Sequence, residues 1–137
     1  MEHKTLLKWT KDMAFETELD GHKLIIDADE ESGGHNTGPR PKKLMLTALA
    51  GCTGMDVISI LKKMKIFPNE FNVRVDGHVT EEHPKQYDSM HIIYEFQGEN
   101  LPLDKLAKAI ELSQEKYCGV SALYKKAIKV TYEIKII

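Results

Sequence analysis

Apolar and polar positions alternate through three short stretches near the start of the chain, "KTLLKW", "MAFETEL" and "KLIID". That period of two is the mark of a half-buried β-strand. Asp20-Gly21, between the second and third stretches, is a strong hairpin signal, because both residues tolerate the positive φ of a tight turn. The alternation then stops for the fourteen residues "ADEESGGHNTGPRP", whose Gly, Asp, Ser and Pro content reads as a loop. A loop of that length is uncommon inside a compact domain and is expected to be mobile or functional.

From Pro41 the pattern turns helical, since proline suits a first helical turn where its missing N–H goes unnoticed. The predicted helix runs from Pro41 to about Lys65 and stops before "IFPNE". Its first half is apolar almost all round, which predicts burial on several sides and is more than one small subunit readily supplies. "FNVRVDGHVT" and "MHIIYEF" alternate as strands across the turn-rich "EEHPKQYDS". Leu103, Leu106, Ala107, Ile110 and Leu112 recur at near-helical spacing, Gly119 marks a break before a short helical turn, and "IKVTYEIKII" closes the chain as a strand. The order βββ-α-ββ-α-β predicts one α+β domain over residues 1–137, an antiparallel sheet covering a long central helix.

Composition narrows the function classes. A net charge of -2 and an apolar content of 42% favour neither nucleic acid nor a membrane surface as partner. The central helix, interrupted by Thr47, Thr53, Asp56 and Ser59, falls short of the ~18 uninterrupted apolar residues of a membrane span. With no basic start leading into an apolar run, a cytoplasmic location is expected. Charge is uneven: residues 1–38 hold nine acids against four lysines, and residues 39–65 hold six bases against Asp56. Segments of opposite sign are therefore expected to lie close, within one subunit or across two.

The two cysteines, Cys52 and Cys118, stand 66 positions apart without a CxxC pair, and no histidine spacing is of the HxxxH or HExxH type. Neither a metal nor a cofactor is expected. Among the histidines only His35, in the long loop, draws notice. Cys52 lies in "LMLTALAGCTGMDVISILKK" as either one more small core residue or a reactive thiol. Gly51 and Gly54 beside it each cost about 1 kcal/mol in a helix, a cost that close approach of a backbone or ligand explains. Asp56, one turn on, raises a neighbouring thiol's pKa unless it is itself paired. Cys118 sits where the second helical pattern breaks, again as packing or as an accessible sulfur. Lys42 and Lys43 oppose the helix dipole and lie on the order of 15 Å from Cys52 by helix rise.

The stretch "GPRPKKLMLTALAGCTGMDV" resembles the signature of the OsmC/Ohr family, the osmotically inducible and organic hydroperoxide resistance proteins. "LSQEKYCGVSALYKKA", with Ser121 three residues after Cys118, is similar to that family's second cysteine motif, and "EEHPKQYDSMHIIYEF" also resembles it. The resemblance spans essentially the whole chain and is nearest the less characterised OsmC-like branch. It implies an intertwined homodimer with thiol sites at the interface. It also implies a thiol-dependent peroxidase in which Cys52 attacks a hydroperoxide, Cys118 resolves the product as a disulfide, and an external dithiol restores both. Leu49 and Met55 would flank an organic substrate. Catalytic members pair an N-terminal arginine with a glutamate near the start of the central helix. Here no arginine precedes Arg40 and no glutamate lies between Glu31 and Glu70, leaving Arg40, Lys42, Lys8 and Lys11 as possible electrostatic support. The alternative is a non-catalytic member of the same fold that binds a small apolar ligand.

Overall fold

A computed structural model describes all of residues 1–137. The chain packs as two compact units, Met1–Met45 and Leu46–Ile137. In the first, strands β1 (Lys8–Lys11), β2 (Ala14–Leu19) and β3 (His22–Ile26) form an antiparallel meander in the order β1-β2-β3. Asp20 and Gly21 turn β2 into β3 with φ of +50° and +80°, the left-handed pair that a two-residue hairpin demands. The first strand begins later than its alternation predicts, at Lys8, so "KTLL" precedes it.

The long loop is organised about Asp27, which is 2% exposed. Its carboxylate accepts the Ala28 N–H at 2.8 Å, the His35 and Thr37 N–H groups at 3.1 Å and the Thr37 hydroxyl at 2.6 Å. Gly34 makes this cage possible, because a Cβ there would collide with the Ala28 carbonyl oxygen.

A 3-10 turn over Pro41–Lys43 closes the first unit and leads into helix α1 (Leu44–Lys63), most of which belongs to the second. Strands β4 (Glu70–Val79), β5 (Tyr87–Gln97) and β6 (Lys129–Ile136) make a sheet in the order β4-β5-β6. Between β5 and β6 run α2 (Leu103–Leu112), a π-helical turn (Ser113–Tyr117) and α3 (Gly119–Lys125). The element order is the predicted one. The sheet, however, is mixed: β4 and β5 are antiparallel, but β6 runs parallel to β5. A parallel neighbour needs a long crossover, and the helical segment between the two strands provides it.

The core lies between α1, α2 and one face of this sheet. Leu49, Thr53, Val57 and Leu61, all fully buried, form a strict i, i+4 stripe on α1, and Met90, Ile92, Tyr94 and Phe96 oppose it from alternate positions of β5. Each buried aliphatic contributes about 1.5–3 kcal/mol. Gly77 notches β4 for the Tyr87 ring and Leu46, since a Cβ there would come within 2.7 Å and 2.8 Å of them. The opposite side of α1 is open within this unit, where Met55 is 74% exposed. By length and composition alone, the helix over Pro41–Lys63, whose most apolar 18-residue window has a mean hydropathy of 1.8, is apolar enough to cross a bilayer, which the count of uninterrupted apolar residues did not indicate. A polar core hydrogen-bonded to Thr53 is instead what its buried stripe carries.

Candidate active site

Thr53 occupies the centre of the buried stripe of α1, which leaves its neighbour Cys52 at the stripe's edge, half-buried against the core. Asp56 follows one turn later, also half-buried. Gly54 is explained by β4, because a Cβ there would meet Val73 at 3.3 Å, whereas a Cβ at Gly51 would stand in open space.

The second thiol is delivered by a change in helical pitch. At the end of α2 the Cys118 N–H reaches back five residues to the Ser113 carbonyl at 2.8 Å, the widened turn that recurs at functional sites. Ser113 and Gln114, consecutive in sequence, both point inward at 0% and 3% exposure. Cys118 leaves the turn in extended conformation and caps α3, its sulfur accepting the Ser121 N–H at 3.3 Å.

These elements bring the sulfurs of Cys52 and Cys118 and a carboxylate oxygen of Asp56 within 4.8 Å of one another. Cys118 is 3% exposed, and burial pushes its thiol up to about 11. Contact with the Cys52 sulfur and the negative charges of Cys52 and Asp56 push the same way, against the Ser121 N–H. Both charges acting on Cys118 are negative, so its proton is held.

Behind the thiols lies a hydrogen-bonded chain that sequence patterns did not reveal. Ser113 Oγ donates to Asp56 Oδ2 at 2.9 Å, Thr53 Oγ1 lies 2.7 Å from both Ser113 Oγ and Tyr94 Oη, and Gln114 Nε2 donates to Tyr94 Oη at 2.8 Å. A hydroxyl carries one proton. Ser113 spends its proton on Asp56, so Thr53 must donate to Ser113, and Tyr94 must donate to Thr53. Ser121 Oγ closes the far end by donating to Gln114 Oε1 at 2.6 Å. Every proton therefore points along Gln114, Tyr94, Thr53 and Ser113 to the carboxylate of Asp56. No buried side-chain polar atom lacks a partner. Burial also pushes the Tyr94 phenol up, which keeps it a donor.

The remaining predicted residues are not members of this three-residue cluster. Arg40 Nη1 donates to Asn36 Oδ1 at 2.8 Å and to the Gly38 carbonyl at 2.9 Å, spending its charge on its own loop. Lys8 is exposed on β1 and Lys42 is exposed in the 3-10 turn. Neither lies in the unit that carries the thiols. His35 pairs through Nε2 with Asp12 at 2.6 Å on the surface. Leu49, expected beside a substrate, is fully buried in the core, so of that pair only Met55 reaches solvent. The spacing argument against a metal considered histidines, whereas the donors that come together here are two thiols and a carboxylate. Ser121 was legible as part of the second cysteine motif; Thr53, Tyr94, Ser113 and Gln114 carry no local signature and are found only through their contacts.

The OsmC family model, described as OsmC-like protein, matches residues 34–133. Protein YhfA of Escherichia coli K12 is 30% identical over 132 residues, 96% of each chain. A crystal structure of a hypothetical protein from Aquifex aeolicus superposes with a TM-score of 0.82 at 28% identity, covering 100% of this chain and 99% of that one. An organic hydroperoxide resistance protein from Elizabethkingia anophelis shares the fold at a TM-score of 0.71 and 14% identity, over 100% and 99% of the two chains. With the family model covering most of the chain and the paired-cysteine architecture in place, this protein belongs to the OsmC-like family.

Proposed function

We propose that this protein is a two-cysteine thiol peroxidase that reduces organic hydroperoxides. The observation that carries the reading is the meeting of Cys52, half-buried and approachable, with Cys118, buried and protonated, within 4.8 Å. The Cys52 thiolate attacks the terminal peroxide oxygen, the O–O bond breaks, and the alkoxide leaves as alcohol on taking a proton. Cys52 is then a sulfenic acid. Cys118 attacks that sulfur, a disulfide forms and water departs. An external dithiol reduces the disulfide by exchange. The cycle requires no metal or cofactor. Relatives of this fold named for organic hydroperoxide resistance support the substrate class, and exposed Met55 beside the site suits an apolar alkyl group.

The proposal includes a cytoplasmic homodimer. A helix that leaves Met55 74% exposed and has open space where a Cβ of Gly51 would stand is what a second copy would cover.

One observation favours a second reading, in which the fold binds a small apolar ligand and the thiols stay reduced: the charges acting on Cys118 are both negative, so no cation assists ionisation. The open groove of about 780 Å³ does not serve that reading, for Lys4, Lys8, Glu16 and Lys23 line it. Treating reduced protein with a slight excess of cumene hydroperoxide and mapping peptides without reductant separates the two. A Cys52–Cys118 disulfide within one chain, and loss of peroxide consumption in Cys52→Ser, is expected. Thiols that stay free, or full consumption by Cys52→Ser, would transfer the protein to the ligand-binding class.

A further inference from the structure

We propose that Asp56 is the general base of the resolving step: it takes the proton of Cys118 as that sulfur attacks the Cys52 sulfenic acid, and returns it to the departing hydroxide. The inference rests on the peroxidase reading and adds to it a residue and a step that neither the paired cysteines nor the family resemblance supplies.

The need for a base follows from burial. Cys118 is 3% exposed and holds its proton at neutral pH, yet a thiol attacks sulfur only as thiolate. Among neighbouring groups, the phenols of Tyr94 and Tyr124 are pushed up by burial and by Cys118 itself, so they remain protonated and cannot take the thiol's proton. Lys125 is engaged with the Gln114 carbonyl at 3.0 Å and Glu115 at 3.8 Å. Cys52 has been consumed as the sulfenic acid. The one remaining acceptor is the Asp56 carboxylate, within 4.8 Å of both sulfurs, in reach directly or through one water.

The hydrogen-bonded chain prepares it for that use. Ser113 takes one lobe of the carboxylate through Oδ2, and the forced direction of the protons from Gln114 through Tyr94 and Thr53 keeps Ser113 a donor there. The orientation of Asp56 is thereby set from the core, and the other oxygen, Oδ1, takes no part in that chain. The step balances: the Cys118 S–H bond breaks, S–S forms, S–O of the sulfenic acid breaks, and hydroxide takes the proton from Asp56 to leave as water. The hydroperoxide is the oxidant, and Asp56 ends as it began.

Asp56 should act oppositely on the two half-reactions, a split that a structural role does not produce. Its negative charge opposes the Cys52 thiolate in the first step and assists the second. The experiment is rapid-quench mass spectrometry of the full-length reduced protein with cumene hydroperoxide, with dimedone to trap sulfenic acid. In Asp56→Asn, Cys52 should reach the sulfenic acid at least as fast as in the wild type, while disulfide formation slows by about 100-fold or more, the range that a positioned base contributes. The trapped adduct should then accumulate. Asp56→Ala with added formate gives a second reading: recovery of the disulfide rate is expected if a carboxylate is what the site lacks. A disulfide rate in Asp56→Asn within about threefold of wild type, or equal slowing of both steps without formate rescue, overturns the assignment. If wild-type Cys52 is never oxidised, the peroxidase reading itself falls, and this step with it.

Discussion

Replacing Thr53 by valine exchanges a hydroxyl for a methyl group without changing the shape of a fully buried side chain. Tyr94 Oη, itself on a residue with 0% exposure, then loses the atom it donates to at 2.7 Å, while it still accepts from Gln114. A buried donor left unmade costs about 1–3 kcal/mol. The second Gln114 N–H also loses its 3.3 Å contact with Thr53, which places the total near the middle of that range, at about 2 kcal/mol. At an unfolding entropy of about 2.1 cal/mol/K per residue, this chain's length converts that cost into a fall in Tm of about 7 °C. Thr53→Ser is the control. It keeps every hydrogen bond and loses one methyl group, for about 1 kcal/mol and half the shift. Thermal melts of the two variants beside wild type, followed by far-UV circular dichroism, make the comparison. A valine variant as stable as the serine variant would show that the chain from Gln114 to Asp56 is not formed in solution, and the reasoning about Asp56 would lose its support.

Two further predictions concern the frame around the site. Gly77→Ala places a Cβ against the Tyr87 ring and Leu46, and overpacking of this kind costs about 1–3 kcal/mol; urea unfolding should show a lower midpoint with an unchanged m-value, and an unchanged midpoint would refute the packing account. Asp27→Asn sets an amide N–H₂ against the loop's converging N–H donors and should lower Tm at neutral pH. The Thr37 hydroxyl, chiefly, holds the Asp27 carboxyl well below the usual carboxylate range, joined by backbone N–H groups and opposed by burial. A depressed folded-state pKa makes its stabilisation complete above the unfolded-state value of about 3.9 and lost as pH falls through the folded one. The gap in Tm between wild type and variant should therefore be full at pH 7 and shrink below about pH 4; a gap that does not change with pH would contradict the assignment.

Much of the architecture was legible because it is local. The same dipeptide makes the point twice. Asp20-Gly21 sits between two alternating stretches and turns the chain, whereas Asp76-Gly77 sits inside one alternating stretch and stays in β4; the period of the flanks, set by which side of a strand meets the core, decides between them. The central helix was legible for the same reason, as was the break near Gly119. The buried stripe on α1 shows the limit: composition made the helix apolar all round, but only the sheet selected Leu49, Thr53, Val57 and Leu61 as its inner face.

By itself, then, the sequence determined the order of elements, the hairpin, the helix with Cys52 near its middle and the two cysteine motifs, all properties of side-chain period and turn chemistry over a few residues. Tertiary structure alone decided that β6 runs parallel to β5, that a thiol 66 positions away comes back beside Cys52 and Asp56, and that a threonine, a tyrosine, a serine and a glutamine from three elements share one directed set of protons. Strand direction depends on where a crossover returns the chain, and hydrogen-bond direction depends on which partners close off each lone pair. Neither quantity exists until residues distant in sequence are packed together, and the chemistry proposed for Cys52, Cys118 and Asp56 rests on that packing.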